Sequence, residues 1–573
     1  MLTPWGETLD PNKVLGEYPR PQLRRDSYLN LNGLWEYAIT DTDEAPRGFD
    51  GKILVPFSPE APLSGVNRQL QPAQTLWYQT TFCLPEGFCK DRVLLHFGAV
   101  DRECAVYVNG TAAAFHMGGY LPFSMDITAL LQAENLLTVR VKDPTDTTEG
   151  SRGKQKTKRG GIWYTPQSGI WQTVWLESVP TQYIKRLKIT PLYDDDAVEI
   201  TAKTDIDAPC CIETDGMEVR CVSNSAVRIP LRHVEHWSPE HPKLYDLTVT
   251  VGDDRVESYF AMRKFSVAFD EDGVRRLFLN DEPYFETGVL DQGYWPDGLY
   301  TAPSDEAMIY DIQTMKDMGF NMLRKHIKIE PLRWYYHCDR LGMIVWQDMP
   351  SGGGSYRLPT ISLPLITGIH HKDHDYRRFS REDPVEREQY RVELADMVTL
   401  LYNAPCISTW VPFNEGWGQF DAVEAVALIE SIDKTRRIDH ASGWHDQGIG
   451  EIKSLHVYFR KYRFLRDKKR RAVVLSEFGG YNYMEKGHTY NDRDFGYRKL
   501  ASSAALLSEF AALYEKQILP AVKKGLAATV YTQLSDVEDE VNGLVTYDRR
   551  VEKLDREAVA RINTLLCQNG KNK

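Results

Sequence analysis

Three rhythms of apolar and polar residues follow one another along the chain. From about residue 27 to 179, short alternating runs (TLWYQTTFCL, RVLLHFGAV, ECAVYVNG, LLTVRVKD, IWQTVWLES) are separated by Gly, Asn, Asp and Pro. That is the period-two pattern of strands with one buried face, and it predicts an antiparallel β-sandwich in which VNGT is a hairpin turn. Residues 150–161, GSRGKQKTKRGG, break the pattern with basic, glycine-rich sequence and are expected to form a long exposed loop. A second β-rich stretch, about 180–267, has the length of a small immunoglobulin-like sandwich, with the proline of SVPTQ marking the seam.

After residue 275 the rhythm becomes apolar strand, loop, amphipathic helix. Eight strand candidates (FETGVL, NMLRKH, MIVWQD, ISTWVPFNE, RIDHASG, SLHVYF, AVVLSEF and AATVYTQ) predict a closed (β/α)₈ barrel. The segment SDEAMIYDIQTMKDMG opens on serine and closes on glycine, the punctuation of a helix. An insertion at about 350–380 follows the third strand and is read as part of a lid. The resulting division is 1–179, 180–268 and 269–573.

Composition changes this picture little. A chain of 573 residues exceeds one hydrophobic core, in line with several domains. A net charge of −12 argues against a nucleic-acid binder, and no run of about eighteen apolar residues predicts a membrane span. The N-terminus lacks a basic region followed by an apolar core, so a soluble, cytoplasmic protein is expected. The nine cysteines are scattered, and adjacent Cys210 and Cys211 cannot form an ordinary disulfide, which fits reduced thiols. Thirteen tryptophans and thirty tyrosines exceed ordinary packing needs and suit a carbohydrate substrate. A homo-oligomer is compatible with all of this.

Catalytic groups of such barrels project from the C-terminal strand ends. Strand four ends in VPFNEGWGQ and strand seven in LSEFGG, placing Glu415 and Glu477 across one mouth. Glycoside hydrolysis needs such a pair, one carboxyl to protonate the departing oxygen and one to attack or stabilise the anomeric carbon. Retention requires a separation of roughly 5–5.5 Å and inversion roughly 6.5–9.5 Å. Arg324 at the end of strand two is positioned to hold Glu477 anionic, and Trp417 to desolvate Glu415. His326, Asp348, Trp444, His456, Tyr458 and, at strand eight, Tyr531 or Gln533 are further candidates for sugar contacts or support. The HHKDHD tract at 370–375 is read as a solvated loop, RKYRFLRDKKRRA at 460–472 as a charged helix or loop, and GGG at 352–354 as flexible. No metal and no cofactor are predicted.

The motifs LNGLWEY, GGIWYTPQSGIWQTVWLE, VPFNEGWGQ, LSEFGG and YTQLSDVEDEVNGLVTYDR, in that order, resemble those of glycoside hydrolase family 2 over nearly the whole chain. The resemblance implies a jelly-roll sugar-binding domain, an immunoglobulin-like domain and a retaining catalytic barrel. It also implies Glu415 as acid/base, Glu477 as nucleophile, Asn414 as partner of the sugar 2-hydroxyl, and Tyr458 as a hydrogen-bond donor to the nucleophile. Magnesium-dependent members carry ligands upstream of the acid that WQDMPSGGG does not match. Glucuronidases of the family carry an Asn-x-Lys-Gly motif for the sugar carboxylate. Here Glu540 and Asn542 occupy those positions, which demotes glucuronides unless Lys325, Lys328 or the 150–161 loop supplies a clamp. A β-galactosidase is the default expectation, a β-glucuronidase or arabinosidase the alternative, and a catalytically inactive carbohydrate-binding protein the rival from another class.

Overall fold

The structure, a computed structural model, describes residues 1–570, so the last three positions of the predicted third region lie outside the described residues. The first alternating region folds as two packed antiparallel sheets, a β-sandwich of jelly-roll type. One sheet runs Leu29–Asn30, Val174–Val179, Arg92–Phe97, Phe123–Asp126. The other runs Gly51–Val55, Gly33–Thr40, Thr75–Phe82, Asn135–Lys142, Glu103–Val108, Thr111–Met117. Alternation does what the sequence predicts: along Asn135–Lys142, Leu137, Val139 and Val141 turn inward to meet Trp35, Tyr78, Leu95 and Val106. Each such burial is worth about 1.5–3 kcal/mol. In VNGT, Asn109 and Gly110 both have positive φ (52° and 80°), as a type I′ hairpin turn requires.

The second region is a smaller immunoglobulin-like sandwich of three strands (Arg186–Leu192, Ala197–Lys203, Val227–Pro230) against four (Met217–Val222, Pro209–Thr214, Tyr245–Val251, Asp254–Phe260). Cys210 lies opposite Cys221 on neighbouring strands, a proximity hidden in the linear sequence. A three-stranded hairpin sheet, Phe265–Phe269, Arg275–Leu279 and Glu282–Pro283, leads into the barrel and packs on its last two strands.

All eight barrel strands overlap the predicted segments, with four of them running one or two residues past an end: β1 Glu286–Asp291, β2 Met322–Lys325, β3 Ile344–Asp348, β4 Ile407–Val411, β5 Arg437–Ile438, β6 Ile452–Val457, β7 Ala472–Gly479 and β8 Leu526–Thr532. They pair in parallel in the order β5-β4-β3-β2-β1-β8-β7-β6, leaving the β5/β6 seam without a ladder. β1, β2, β3, β4, β7 and β8 are buried at every position, which is why they show no alternation of apolar and polar residues. Helix α1, Asp305–Asp317, is capped by the Ser304 side chain accepting from the Ala307 N–H, and Gly319 follows its end at φ 80°. The helices α2 Leu332–Leu341, α3 Pro384–Leu401, α4 Ala422–Ile432, α5 Ser503–Leu513 and α6 Arg556–Gly570 complete the outer ring. The basic run 460–472 is irregular, a loop up to the start of β7. No helix among the described residues is long and apolar enough to cross a membrane.

Three loop expectations need correction. The 150–161 loop is not an exposed excursion: its first half is buried, with Arg152 5%, Lys154 6% and Gln155 2% exposed. It is wedged against the barrel rim because several backbones meet there without side chains. A Cβ on Gly352 would lie 1.9 Å from the Gly150 carbonyl oxygen, and one on Gly418 would lie 2.4 Å from that of Gly352. The GGG triplet therefore serves close approach rather than flexibility. Finally, HHKDHD is only partly solvated. Asp373 is buried and accepts from the Ala422 N–H and from Gln419 (3.1 Å each), bracing the start of α4.

Candidate active site

Glu415 stands just beyond β4, in a turn rather than in the strand. Its backbone is left-handed (φ 51°), a conformation costing of order 1–3 kcal/mol for a non-glycine residue. The surroundings hold it there. The Glu415 N–H donates to Ser442 O (2.9 Å), and its carbonyl accepts from the Trp444 indole (2.8 Å). Gly416 and Gly418 follow at φ 73° and 59°. A Cβ on Gly416 would reach within 2.5 Å of the His445 ring, so the N-E-G-W-G sequence is the one this turn accepts.

Glu477 is placed differently, inside β7, where the register with β8 shifts between Leu475 and Phe478 and that with β6 between Leu455 and His456. Such irregularities re-aim side chains beside active sites. Its carboxylate accepts from Arg324 Nη1 at 3.1 Å and from the Tyr458 hydroxyl. His456 links the two acids: Nδ1 lies 2.8 Å from Glu415 Oε1 and Nε2 lies 3.6 Å from Glu477 Oε1. A carboxylate oxygen of each glutamate and a nitrogen of His456 all lie within 4.8 Å of one another. Among the described residues this is the group of such side chains near enough to share one metal ion, and an ion there would sit between the two acids.

Burial by itself raises the Glu477 carboxyl, but His456 and Arg324, with His326 and Lys154 behind them, outweigh it and hold the group well below the usual carboxylate range. Burial, reinforced by Lys154, drives His326 toward its neutral form, so the permanently charged Arg324 is the firmest of these influences. Burial and the Glu477 charge push the Tyr458 hydroxyl up, so it remains a donor.

Arg324 is fully buried and fully used. It forks onto Asp348 (3.0 and 2.9 Å) and donates to Asn414 Oδ1 at 2.8 Å, besides Glu477. Both Asp348 oxygens are engaged, the second also by His326 Nδ1 at 2.8 Å, so Asp348 is support and not a free sugar ligand. Among the described residues, Asn414 Nδ2 and His326 Nε2 in this network are buried without a hydrogen-bond partner. Trp444 spends its N–H on Glu415 and sets its ring edge-on to His456 at 5.5 Å, steadying the acid turn. Tyr531, expected at the floor, is corrected: it packs among Phe478, Phe510 and Tyr514, away from the mouth, and Thr532 instead reaches Tyr458 at 3.1 Å. Gln533 is bound up with Gln292 and Asn542.

Several groups at the mouth escaped the linear reading. Trp417 lies 5.3 Å from Trp163, which stacks on Tyr356 at 5.4 Å, an aromatic wall drawn from the sandwich loop, the β3 insertion and the β4 turn. Tyr497 stacks on Tyr458 at 4.1 Å. From the sandwich, Arg159 pairs with Glu538 and Asp539 (3.2 and 3.0 Å), and the Tyr164 hydroxyl donates to buried Glu540. The clustered aromatics were the available signal, but only the fold brings them together. Lys325 and Lys328, once candidates for a carboxylate clamp, are occupied by Asp291, Glu330 and backbone carbonyls.

Comparison with known proteins agrees with this architecture. Three descriptions of one family match in succession: the sugar binding domain of glycosyl hydrolases family 2 over residues 62–180, glycosyl hydrolases family 2 over 182–263, and its TIM barrel domain over 300–552. A putative β-glucuronidase of Formosa agariphila is 27% identical over 331 residues, 52% of this chain and 38% of that protein. A β-galactosidase of Thermoanaerobacter pseudethanolicus is 24% identical over 388 residues, 63% of this chain and 47% of that one. The chain thus spans less than half the length of either relative. Among solved structures, a Ruminococcus gnavus β-glucuronidase superposes with a TM-score of 0.75 over 97% of this chain and 99% of its own at 15% identity, a likeness of fold. Sequence and fold together place the chain in glycosyl hydrolases family 2.

Proposed function

We propose that the protein is a retaining, exo-acting β-glycosidase that releases a terminal β-linked sugar through a covalent glycosyl-enzyme intermediate. The observation that carries this reading is the pair of carboxylates with one oxygen of each within 4.8 Å of the other, too close to leave the space an inverting pair keeps for water, with Glu477 held ionised by Arg324 and Tyr458. Glu477 attacks the anomeric carbon as Glu415 protonates the glycosidic oxygen, and the aglycone departs. Glu415 then takes a proton from water, the water oxygen bonds to the anomeric carbon, and the Glu477 carboxylate leaves. Asn414 Nδ2 and His326 Nε2 are the donors or acceptors left for sugar hydroxyls. A bond from Asn414 to the 2-hydroxyl strengthens as charge develops at the neighbouring carbon, favouring the transition state. Trp417 and Trp163 offer ring faces to the apolar side of a pyranose.

For the sugar, a neutral hexoside with β-galactoside as its default is the reading favoured by a buried carboxylate, Glu540, at the mouth. Relatives carry both the β-galactosidase and the β-glucuronidase names, and Lys154 gives the uronide reading its one specific support. Kinetics on a matched set of nitrophenyl β-glycosides (galactoside, glucuronide, galacturonide, arabinoside) tests this. The galactoside should turn over fastest, a faster uronide replaces the label, and no turnover of any glycoside by folded protein returns the chain to a sugar-binding role.

A further inference from the structure

Behind His456, on the side away from Glu415, lies a cluster of buried serines: Ser442 from the turn after β5, Ser454 from β6 and Ser476 from β7. Ser442 Oγ lies 3.0 Å from His456 Nε2 and 2.9 Å from Ser476 Oγ. Ser476 Oγ in turn lies 3.3 Å from the Leu455 carbonyl oxygen, at the point where the β6/β7 register shifts. Ser454 sits beside this line, within hydrogen-bond distance of both other serines. Gly443, at φ 94°, makes room for the imidazole, since a Cβ there would come within 2.8 Å of His456 Nδ1.

A hydroxyl has one proton to give and a carbonyl has none, and this fixes the direction of the line. The Leu455 carbonyl only accepts, so Ser476 spends its proton there. Ser442 donates to Ser476 and, with its proton used, meets His456 as an acceptor, so Nε2 carries a hydrogen. In a neutral imidazole the other nitrogen is then a bare acceptor. The 2.8 Å contact of Nδ1 with Glu415 Oε1 is therefore a hydrogen bond when the carboxyl supplies the proton. Glu477 Oε1, 3.6 Å from Nε2, favours the same tautomer.

We propose that Ser442 and Ser476 are positioning residues that set the tautomer of His456 and, through it, keep a proton on the Glu415 carboxyl for the departing oxygen. In the first half of the reaction the Glu415 O–H bond breaks and an O–H bond forms on the aglycone. Nδ1 and the carboxylate then face each other as two acceptors, which favours taking a proton back from water in the second half. His456 and the serines end each turnover with the protons they began with. The proposal rests on the glycosidase reading above and adds what holds its acid in working form.

The test reads the tautomer directly, by nitrogen-15 NMR of histidine-labelled protein at neutral pH, with the His456 signals identified by their loss in His456→Gln. Wild type should show a protonated Nε2 and a bare Nδ1. Ser476→Ala touches neither His456 nor Glu415, yet it frees the Ser442 proton to turn toward Nε2 and should move the hydrogen to Nδ1. Ser442→Ala should shift the balance the same way, while Ser454→Ala, off the line, should leave the wild-type signature. A wild type with hydrogen on Nδ1 alone or on both nitrogens overturns the proposal, whether or not any variant folds, and so does a folded Ser476→Ala protein with unchanged signals. Kinetics give a second reading. Ser442→Ala, which keeps its backbone bond to Glu415, should lose about tenfold in kcat/KM on a glycoside with a poor leaving group and less than about threefold on a dinitrophenyl glycoside, the scale of one net hydrogen bond. An equal loss on both overturns the proposal. Absence of turnover by folded wild type sinks the glycosidase reading instead, and the NMR result still decides the tautomer.

Discussion

The end of β7 and the turn after β4 carry the same side chain and treat it in opposite ways. Glu477 sits within a strand, at a shift of its register, with its carboxylate gripped by an arginine and a tyrosine. Glu415 sits outside any strand on a left-handed residue, held through its backbone, with 13% of its side chain exposed and a histidine as carboxylate partner. Grip on the Glu477 carboxylate favours its charged form, whereas grip on the Glu415 backbone fixes where its side chain starts. That asymmetry is what a nucleophile and an acid/base require.

The largest break in this comparison is Glu477→Gln. It should cost about 10⁶-fold in kcat, the scale of losing a covalent nucleophile, with an unchanged far-ultraviolet circular dichroism spectrum. Glu415→Ala should cost about 10²–10⁴-fold, more for poor leaving groups, and azide should restore turnover of an activated substrate as a β-glycosyl azide. Rescue of Glu477→Gln in place of Glu415→Ala would exchange the two roles.

Smaller effects test the grips themselves. Because the folded Glu477 carboxyl lies below its unfolded value of about 4.3, its ionised form contributes stability at neutral pH. That contribution fades only as pH falls from there through the folded value, so the acid limb of kcat/KM should lie below the ordinary glutamate range. Tyr458→Phe removes one donor to the charged form and should move that limb upward. A limb that stays put would show Arg324 to be sufficient. Trp444→Phe deletes the bond to the Glu415 carbonyl and should lower stability by about 1 kcal/mol, read by denaturant titration. It should slow poor leaving groups more than good ones, an effect that an equal loss on both would contradict.

The barrel was legible because short strands rich in buried apolar residues alternate with loops and helical stretches, and both glutamates followed from the rule that chemistry collects at strand ends. Tyr531 was misread for a reason visible in strand geometry. Side chains alternate faces, and Thr532 points at Tyr458, so its neighbour points to the helices. The same parity separates inward Arg324 and His326 from outward Lys325. Asp348 was correctly placed, but a sequence cannot say that an arginine and a histidine have already taken both its oxygens. The 150–161 loop was the least legible segment, since glycines and lysines look alike whether water or another backbone lies beside them.

That wedge, where Gly150, Gly352 and Gly418 bring three chain segments into contact, has an evolutionary consequence. Both glutamates belong to the barrel, while Trp163, part of the aromatic wall beside them, belongs to the N-terminal sandwich. Exchange of sandwiches between relatives could therefore redirect substrate choice while the two glutamates stayed where they are, provided the glycines at the joint were inherited with both halves.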